Sequence, residues 1–152
     1  MINQLDEAKL SKSVKRTVKV RSFSGADVNQ MYQNIEPFLK NIPDVIIIHV
    51  GTKDAVRNTS DTIIDDLLKF KHFIELALPE VKVIFSCPII RTDNARANVT
   101  IRNFIHKIKD MKVHSLLNTN ISLECLGRKG LHMNPRGVGR LAVNMISLMR
   151  KL

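Results

Sequence analysis

"VIIIHVGTKD", residues 45–54, decides the fold. Its first half is a continuous apolar run, the pattern of a strand buried on both faces, and such strands belong to parallel sheets. The run breaks at Gly51 and ends on Lys53 and Asp54. In open α/β sheets, ligands and catalytic groups collect where such strands end. Gly51-Thr52-Lys53-Asp54 is therefore either the rim of a site or a turn into the next helix.

Working outward, "TVKVRSF" (17–23) alternates Val18 and Val20 with Lys19 and Arg21, which predicts a half-buried edge strand. "SGAD" (24–27) turns the chain and offers Ser24 or Asp27 as a helix N-cap. Val28, Met31, Tyr32, Ile35, Phe38 and Leu39 then follow helical spacing, and Pro43 disfavours helix at Ile42. Downstream, Thr59 or Ser60 caps a helix whose apolar stripe is Ile63, Leu67, Phe70, Ile74 and Leu78. "VKVIFSCP" (81–88) reads as a second central strand and "VHSLLN" (113–118) as a weaker one. Between them, Ile101, Ile105, Ile108 and Met111 mark a third helix. The last helix begins near Pro135, a good first-turn residue, and buries Val138, Leu141, Ala142, Met145 and Met149. Strands alternating with helices predict an α/β fold, a three-layer α/β/α sandwich with a mostly parallel sheet, as a single domain over 1–152.

The composition, 44% apolar and 25% charged, is ordinary for a globular chain. No run approaches the roughly 20 apolar residues of a membrane span. Residues 1–16 carry acids near their start and no apolar stretch, so they do not read as a secretory leader; the expected location is intracellular, cytoplasmic or nuclear. Cys87 and Cys125 share no metal-ligand spacing. They read as two buried thiols of a reducing compartment, or as a disulfide. Neither a metal nor a cofactor is expected.

The unusual number is the charge: 24 Lys and Arg against 14 Asp and Glu give +10. Residues 9–21 carry Lys9, Lys12, Lys15, Arg16, Lys19 and Arg21, and no acid follows Glu124. Such a field favours anionic partners, nucleic acid above all, with Lys12, Lys15, Arg16 and Lys19 as candidate contacts. The plainer alternative is a solvated basic surface. With one Tyr, six Phe and no Trp, a base-stacking platform has little to build on.

In the predicted sandwich the loops after the strands converge on one edge: "SFSGAD", "HVGTKD", "CPIIRTDN" and, ahead of the last helix, "GRKGLHMNPRG". His132 is the candidate general base among them, in a glycine-flanked loop; the alternative is an ordinary surface histidine.

Gly25, Gly51-Thr52-x-Asp54, and Leu131-His132-Met133-Asn134 with Gly137 resemble, in order and spacing, the SGNH (GDSL-type) hydrolases. The likeness runs from about Val18 to Leu148 and is nearest to the esterase-like domains associated with animal transposable elements. It implies a flavodoxin-like sheet of order 2-1-3-4-5 and, in intact relatives, cleavage of carboxylic esters by a Ser–His mechanism without cofactors. It implies a nucleophilic serine in a Gly-Asp-Ser block after the first strand. Oxyanion donors come from that serine's N–H, a glycine and an asparagine, and the base is a histidine, often preceded by an aspartate. The physical demand is an activated hydroxyl, a base within reach, and donors aimed at the developing oxyanion.

Carried onto this chain, the resemblance assigns Gly25 and Gly51 to the glycine positions and His132 to the base. Asp54 and Asn134 lie beside them at the cleft. Lys53 stands where the asparagine belongs and Lys129 where the aspartate belongs, and no Gly-Asp-Ser occurs. "MINQL" is similar to the residues that follow the nucleophile block, which implies a chain that starts just after it and lacks the first, central strand. That strand would lie between "TVKVRSF" and "DVIIIHV". The expectation is an esterase-type domain inactive in this form. The gap is closed by its two neighbours, or filled by a second copy or a partner strand, or else it leaves the domain marginally stable.

Overall fold

The computed structural model describes residues 2–152, so the reading of Met1 as a start site lies outside the described residues. In chain order the elements are α1 (Glu7–Val14), α2 (Val28–Leu39), β1 (Val45–His49), α3 (Asp54–Arg57) and α4 (Ser60–Ala77). They are followed by β2 (Lys82–Ser86), α5 (Ala95–Asp110), β3 (Ser115–Leu116) and α6 (Pro135–Met149), with 3-10 turns at Ile2–Gln4 and Leu123–Cys125.

The helices begin where the capping residues sit. Asp27 accepts the Gln30 N–H while the Gln30 side chain returns to the Asp27 N–H, closing a capping box at α2. Thr59 caps α4, Asn94 caps α5, and Asn134 caps α6 just before Pro135. Each side-chain oxygen satisfies a backbone donor that the first helical turn leaves without an intrahelical partner.

The sheet has the order β1-β2-β3, and both pairings are parallel. β1 and β2 align residue for residue from Val45 opposite Lys82 to His49 opposite Ser86. One face packs against α2, α4 and α5 through Val28, Ile48, Phe70, Phe85, Ile101 and Phe104. The other packs against α1 and α6 through Leu10, Ile89, Leu141 and Met145. This is the three-layer α/β/α arrangement. Phe70 and Ile84 are fully enclosed, and truncating such a phenylalanine to alanine costs about 3–5 kcal/mol. Both cysteines are free and buried, and burial pushes the Cys87 thiol up to about 12. Among the described residues, no helix is long and apolar enough to cross a membrane.

Two expectations need correction. The alternation of 17–23 predicts an edge strand, but the segment is irregular and does not join the sheet. A strand needs a ladder, and the side chains of α1 take up its backbone instead. Val18 N–H donates to Ser11 Oγ at 2.9 Å and Val20 N–H to Glu7 Oε1 at 2.6 Å. The strand expected over 113–118 shortens to Ser115–Leu116. Asn118 turns left-handed there (φ 57°), and its buried amide bonds Ser86 Oγ and the Cys87 carbonyl, both at 2.9 Å, which ends the ladder.

Candidate active-site rim

The "GTKD" loop leaves β1 by a backbone only glycine adopts easily, with Gly51 at φ 108°. Its charged residues are both committed. Lys53 Nζ lies 3.1 Å from Asp27 Oδ2 and donates to Gln30 Oε1 at 2.9 Å, fastening the loop to the N-terminus of α2. Asp54, the first residue of α3, is buried, and its Oδ1 accepts the Val28 N–H at 3.2 Å. Its Oδ2 is enclosed without a partner among the described residues, and burial raises its carboxyl above the usual range.

A residue the sequence reading passed over joins this loop to the next. Arg91 is buried and donates from Nη1 to the Thr52 carbonyl at 3.2 Å. It grips Asp93 with Nε and Nη2 at 2.6 and 2.5 Å. The paired guanidinium holds the Asp93 carboxyl below its ordinary value, with a smaller contribution from His132. Thr92 N–H then donates to the Gly130 carbonyl at 2.9 Å. A Cβ on Gly130, already at φ 66°, would sit 2.1 Å from Thr92 Oγ1. Three strand-end loops are thus laced together through Thr52, Arg91, Asp93, Thr92 and Gly130.

His132 sits at the outer end of this lacing. Its carbonyl accepts the Gly127 N–H at 2.7 Å, while the exposed imidazole makes no hydrogen bond among the described residues. Lys129 is also exposed. Asn134 is consumed by capping: its Oδ1 accepts the Gly137 N–H at 3.0 Å, and its Nδ2 donates to the carbonyls of Glu124 (2.7 Å) and Leu126 (3.1 Å). Gly25 lies in an exposed turn at φ 69° with nothing within 4 Å of a Cβ placed there. A cavity of about 320 Å³ lies beside that turn, and one of about 460 Å³ lies between α1 and α6; neither is lined by Gly51 or His132. The rim thus brings together Gly51, Thr52, Asp93 and the His132 loop. Lys53, Asp54 and Asn134 are each held by other partners.

A second polar cluster lies inside the sheet. His49 Nδ1 is 3.0 Å from Ser86 Oγ, which also accepts Asn118 Nδ2, and Asn144 Nδ2 donates to Asn118 Oδ1 at 3.1 Å. Burial pushes the His49 imidazole down to about 4, so it is neutral at pH 7, and its Nε2 has no partner among the described residues. One signal was available in sequence: His49 is the polar residue within the apolar run 45–50. Among the described residues, no group of three or more His, Cys, Asp or Glu is placed to hold a metal.

No protein-family model matches this chain, and no curated protein matches it. Solved structures do. A member of the lipolytic protein G-D-S-L family from Veillonella parvula superposes with a TM-score of 0.77 at 19% identity, over 95% of this chain and 86% of that one. A variant of an acetyl-xylooligosaccharide esterase from Geobacillus gives 0.75 at 14% identity, over 93% and 78%. A lipase/acylhydrolase from Enterococcus faecalis gives 0.68 at 20% identity, over 84% and 72%. At these identities the likeness shows the fold, and the fold is that of the GDSL/SGNH lipases and esterases.

Proposed function

We propose that this chain is an SGNH-type, esterase-derived domain that does not hydrolyse esters in the form described and keeps its strand-end rim as a scaffold. The observation that carries this reading is that the exposed His132 imidazole makes no hydrogen bond among the described residues, while the Asp93 carboxyl it acts on through charge is already gripped by Arg91. A Ser–His mechanism needs the imidazole within hydrogen-bond reach of a hydroxyl and, usually, of an orienting group; among the described residues the His132 imidazole bonds neither. The substitutions agree with it. Lys53 is a flexible, strongly hydrated cation and a poor copy of a fixed amide donor, and it is already bound to Asp27 and Gln30. The relation to domains of animal transposable elements rests on the residue pattern alone. The test is hydrolysis of p-nitrophenyl acetate by the purified chain beside His132→Ala. The expected result is two equal, near-background rates; turnover that disappears in the variant overturns the reading.

A second reading, a nucleic-acid-binding accessory domain, draws on one structural observation. Lys12, Lys15, Arg16 and Lys19 are exposed and carry no ion-pair partner among the described residues, whereas Lys9 and Arg21 pair with Asp6 and Glu7. Arg150 donates twice to the Ser13 carbonyl, at 3.1 and 2.9 Å, so the basic end of α6 adjoins them. Anisotropy with labelled single-stranded DNA and RNA decides it. Affinity should fall steeply with salt and weaken when these four residues are neutralised; no binding at low salt removes the reading.

A further inference from the structure

Four residues at the end of the last helix stand on one face: Val143, Ile146, Ser147 and Arg150 follow the spacing i, i+3, i+4 and i+7. With Ser13 of α1 and Lys151 they line the cavity of about 460 Å³ between the two helices. That volume lies within the range of small-molecule sites, about 300–1,000 Å³. Ile146 packs against the core cluster of Leu141 and Met145, whereas Val143 is 63% exposed and stands as a bare apolar wall. The cavity is remote from the rim. Arg150 lies about 24 Å along α6 from Asn134, at about 1.5 Å per residue.

The polar side chains of the lining are donors. Arg150 uses Nε and Nη2 on the Ser13 carbonyl, at 3.1 and 2.9 Å, which fixes the guanidinium and leaves Nη1 without a partner among the described residues. Lys151 Nζ and the hydroxyls of Ser13 and Ser147 have none among them either. The carbonyls that end α6 do not consume these cations, because Ile146 and Leu148 accept from the Arg150 and Lys151 N–H groups. No acid is among the described lining residues. Lys12, Lys15 and Arg16, which flank Ser13 in the chain, are exposed and carry no ion-pair partner among the described residues. The acids Asp6 and Glu7, at the other end of α1, pair with Lys9 and Arg21.

Lysine and arginine donate and never accept, so the lining calls for an anion, and the wall of Val143 and Ile146 calls for an apolar body attached to it. The charge selects the anion. Arg150 and Lys151 in the lining, with Lys12, Lys15 and Arg16 beside Ser13, favour a group carrying about −1.5 to −2 at pH 7 over a single carboxylate. We propose that the cavity between α1 and α6 binds a phosphate monoester with a compact apolar body. Arg150 and Lys151 hold the phosphate, the Ser13 and Ser147 hydroxyls donate to its other oxygens, and the body lies on Val143 and Ile146. This inference holds whether or not the rim hydrolyses esters.

The probe is phenyl phosphate, titrated into the ¹⁵N-labelled full chain at pH 7.5. The amides of Ser13, Val143, Ser147 and Lys151 should shift together and saturate at millimolar ligand. Lys151→Gln should weaken binding about fivefold, and Val143→Glu, which sets an acid on the apolar wall, about tenfold. Both positions are exposed, so neither change threatens the fold. Lys109→Gln, on the exposed side of α5, should change nothing. Five results overturn the proposal. Phenyl phosphate leaves these amides unmoved at millimolar concentration. Inorganic phosphate binds equally well, which makes the apolar wall irrelevant. Benzoate binds equally well, which makes the second charge irrelevant. Lys109→Gln weakens binding as much as Lys151→Gln, which assigns the effect to net charge alone. A single-stranded oligonucleotide without terminal phosphates displaces phenyl phosphate and moves the same amides, which makes the cavity part of a nucleic-acid surface.

Discussion

Lys53 Nζ sits 3.1 Å from Asp27 Oδ2, joining the loop after β1 to the cap of α2. The pair is two-thirds or more enclosed, and Asp27 also caps the Gln30 N–H at 2.9 Å. Loss of the cap in Asp27→Ala should cost about 1 kcal/mol. Lys53→Ala should cost about 0.5 kcal/mol. Urea titrations of both singles and the double should return a coupling of about 0.5 kcal/mol. Lys53→Asn, the residue type that the sequence resemblance assigns to this position, should leave the p-nitrophenyl acetate rate at background.

His49 makes stability depend on pH in a defined window. Its imidazole falls from an ordinary 6.5 to about 4 because burial penalises the charged form. Between those values the unfolded chain binds a proton that the folded one refuses. The stabilisation is therefore complete above 6.5 and is lost as pH falls towards 4, by up to about 3 kcal/mol. The carboxyls of Glu7, Asp27 and Asp93, all lowered in the fold, lose their contribution only below their ordinary range near 4. Denaturation midpoints at pH 7.5 and 5 report the histidine's loss, which the buried Asp54 carboxyl, raised in the fold, opposes as it takes up its proton. His49→Asn should flatten the difference, and an equally steep fall in the variant would assign the window to other groups.

The sandwich was legible because helical and strand periodicities record burial, and burial is what α2, α4, α5, α6, β1 and β2 have in common. Segment 17–23 shows the limit. Alternating valines record one apolar face, but a strand also requires a neighbouring backbone, and residue patterns do not say whether one is present. The rim was legible where backbone geometry is at stake, as at Gly51. It was not legible where a side chain's partner is remote in sequence. Asp54 reaches Val28 and Arg91 reaches Thr52 only after the sheet has brought their loops together.

Arg91 and Asp93 should respond unequally to deletion of the partner. The Arg91 side chain is 9% exposed and that of Asp93 28%. If Arg91 is lost, the carboxylate can turn to water. If Asp93 is lost, an enclosed guanidinium keeps only the Thr52 carbonyl. Removing one member of a buried pair costs about 3–5 kcal/mol when the survivor stays buried. Asp93→Ala should therefore destabilise by about 3 kcal/mol and Arg91→Met by less, in chemical denaturation at pH 7. The reverse order would show that the guanidinium reaches solvent.

Three glycines should give three different answers to alanine. Gly139 lies inside α6 with open space around it and an ordinary φ, so Gly139→Ala should stabilise by about 0.5–1 kcal/mol through helix propensity. Gly25 has the same open space but φ 69°, so its alanine meets only the backbone penalty, about 1 kcal/mol of destabilisation. Gly130 combines φ 66° with contacts of 2.1 Å to Thr92 Oγ1 and 3.1 Å to the Asp93 nitrogen. Rotating the Thr92 hydroxyl relieves the first contact but not the second, so Gly130→Ala should cost about 2 kcal/mol or more. It should also loosen the lacing, seen as faster hydrogen exchange at the Thr92 amide, which donates to Gly130. Equal losses at Gly25 and Gly130 would mean that backbone strain alone sets the cost and that the 92–130 contact is not tight.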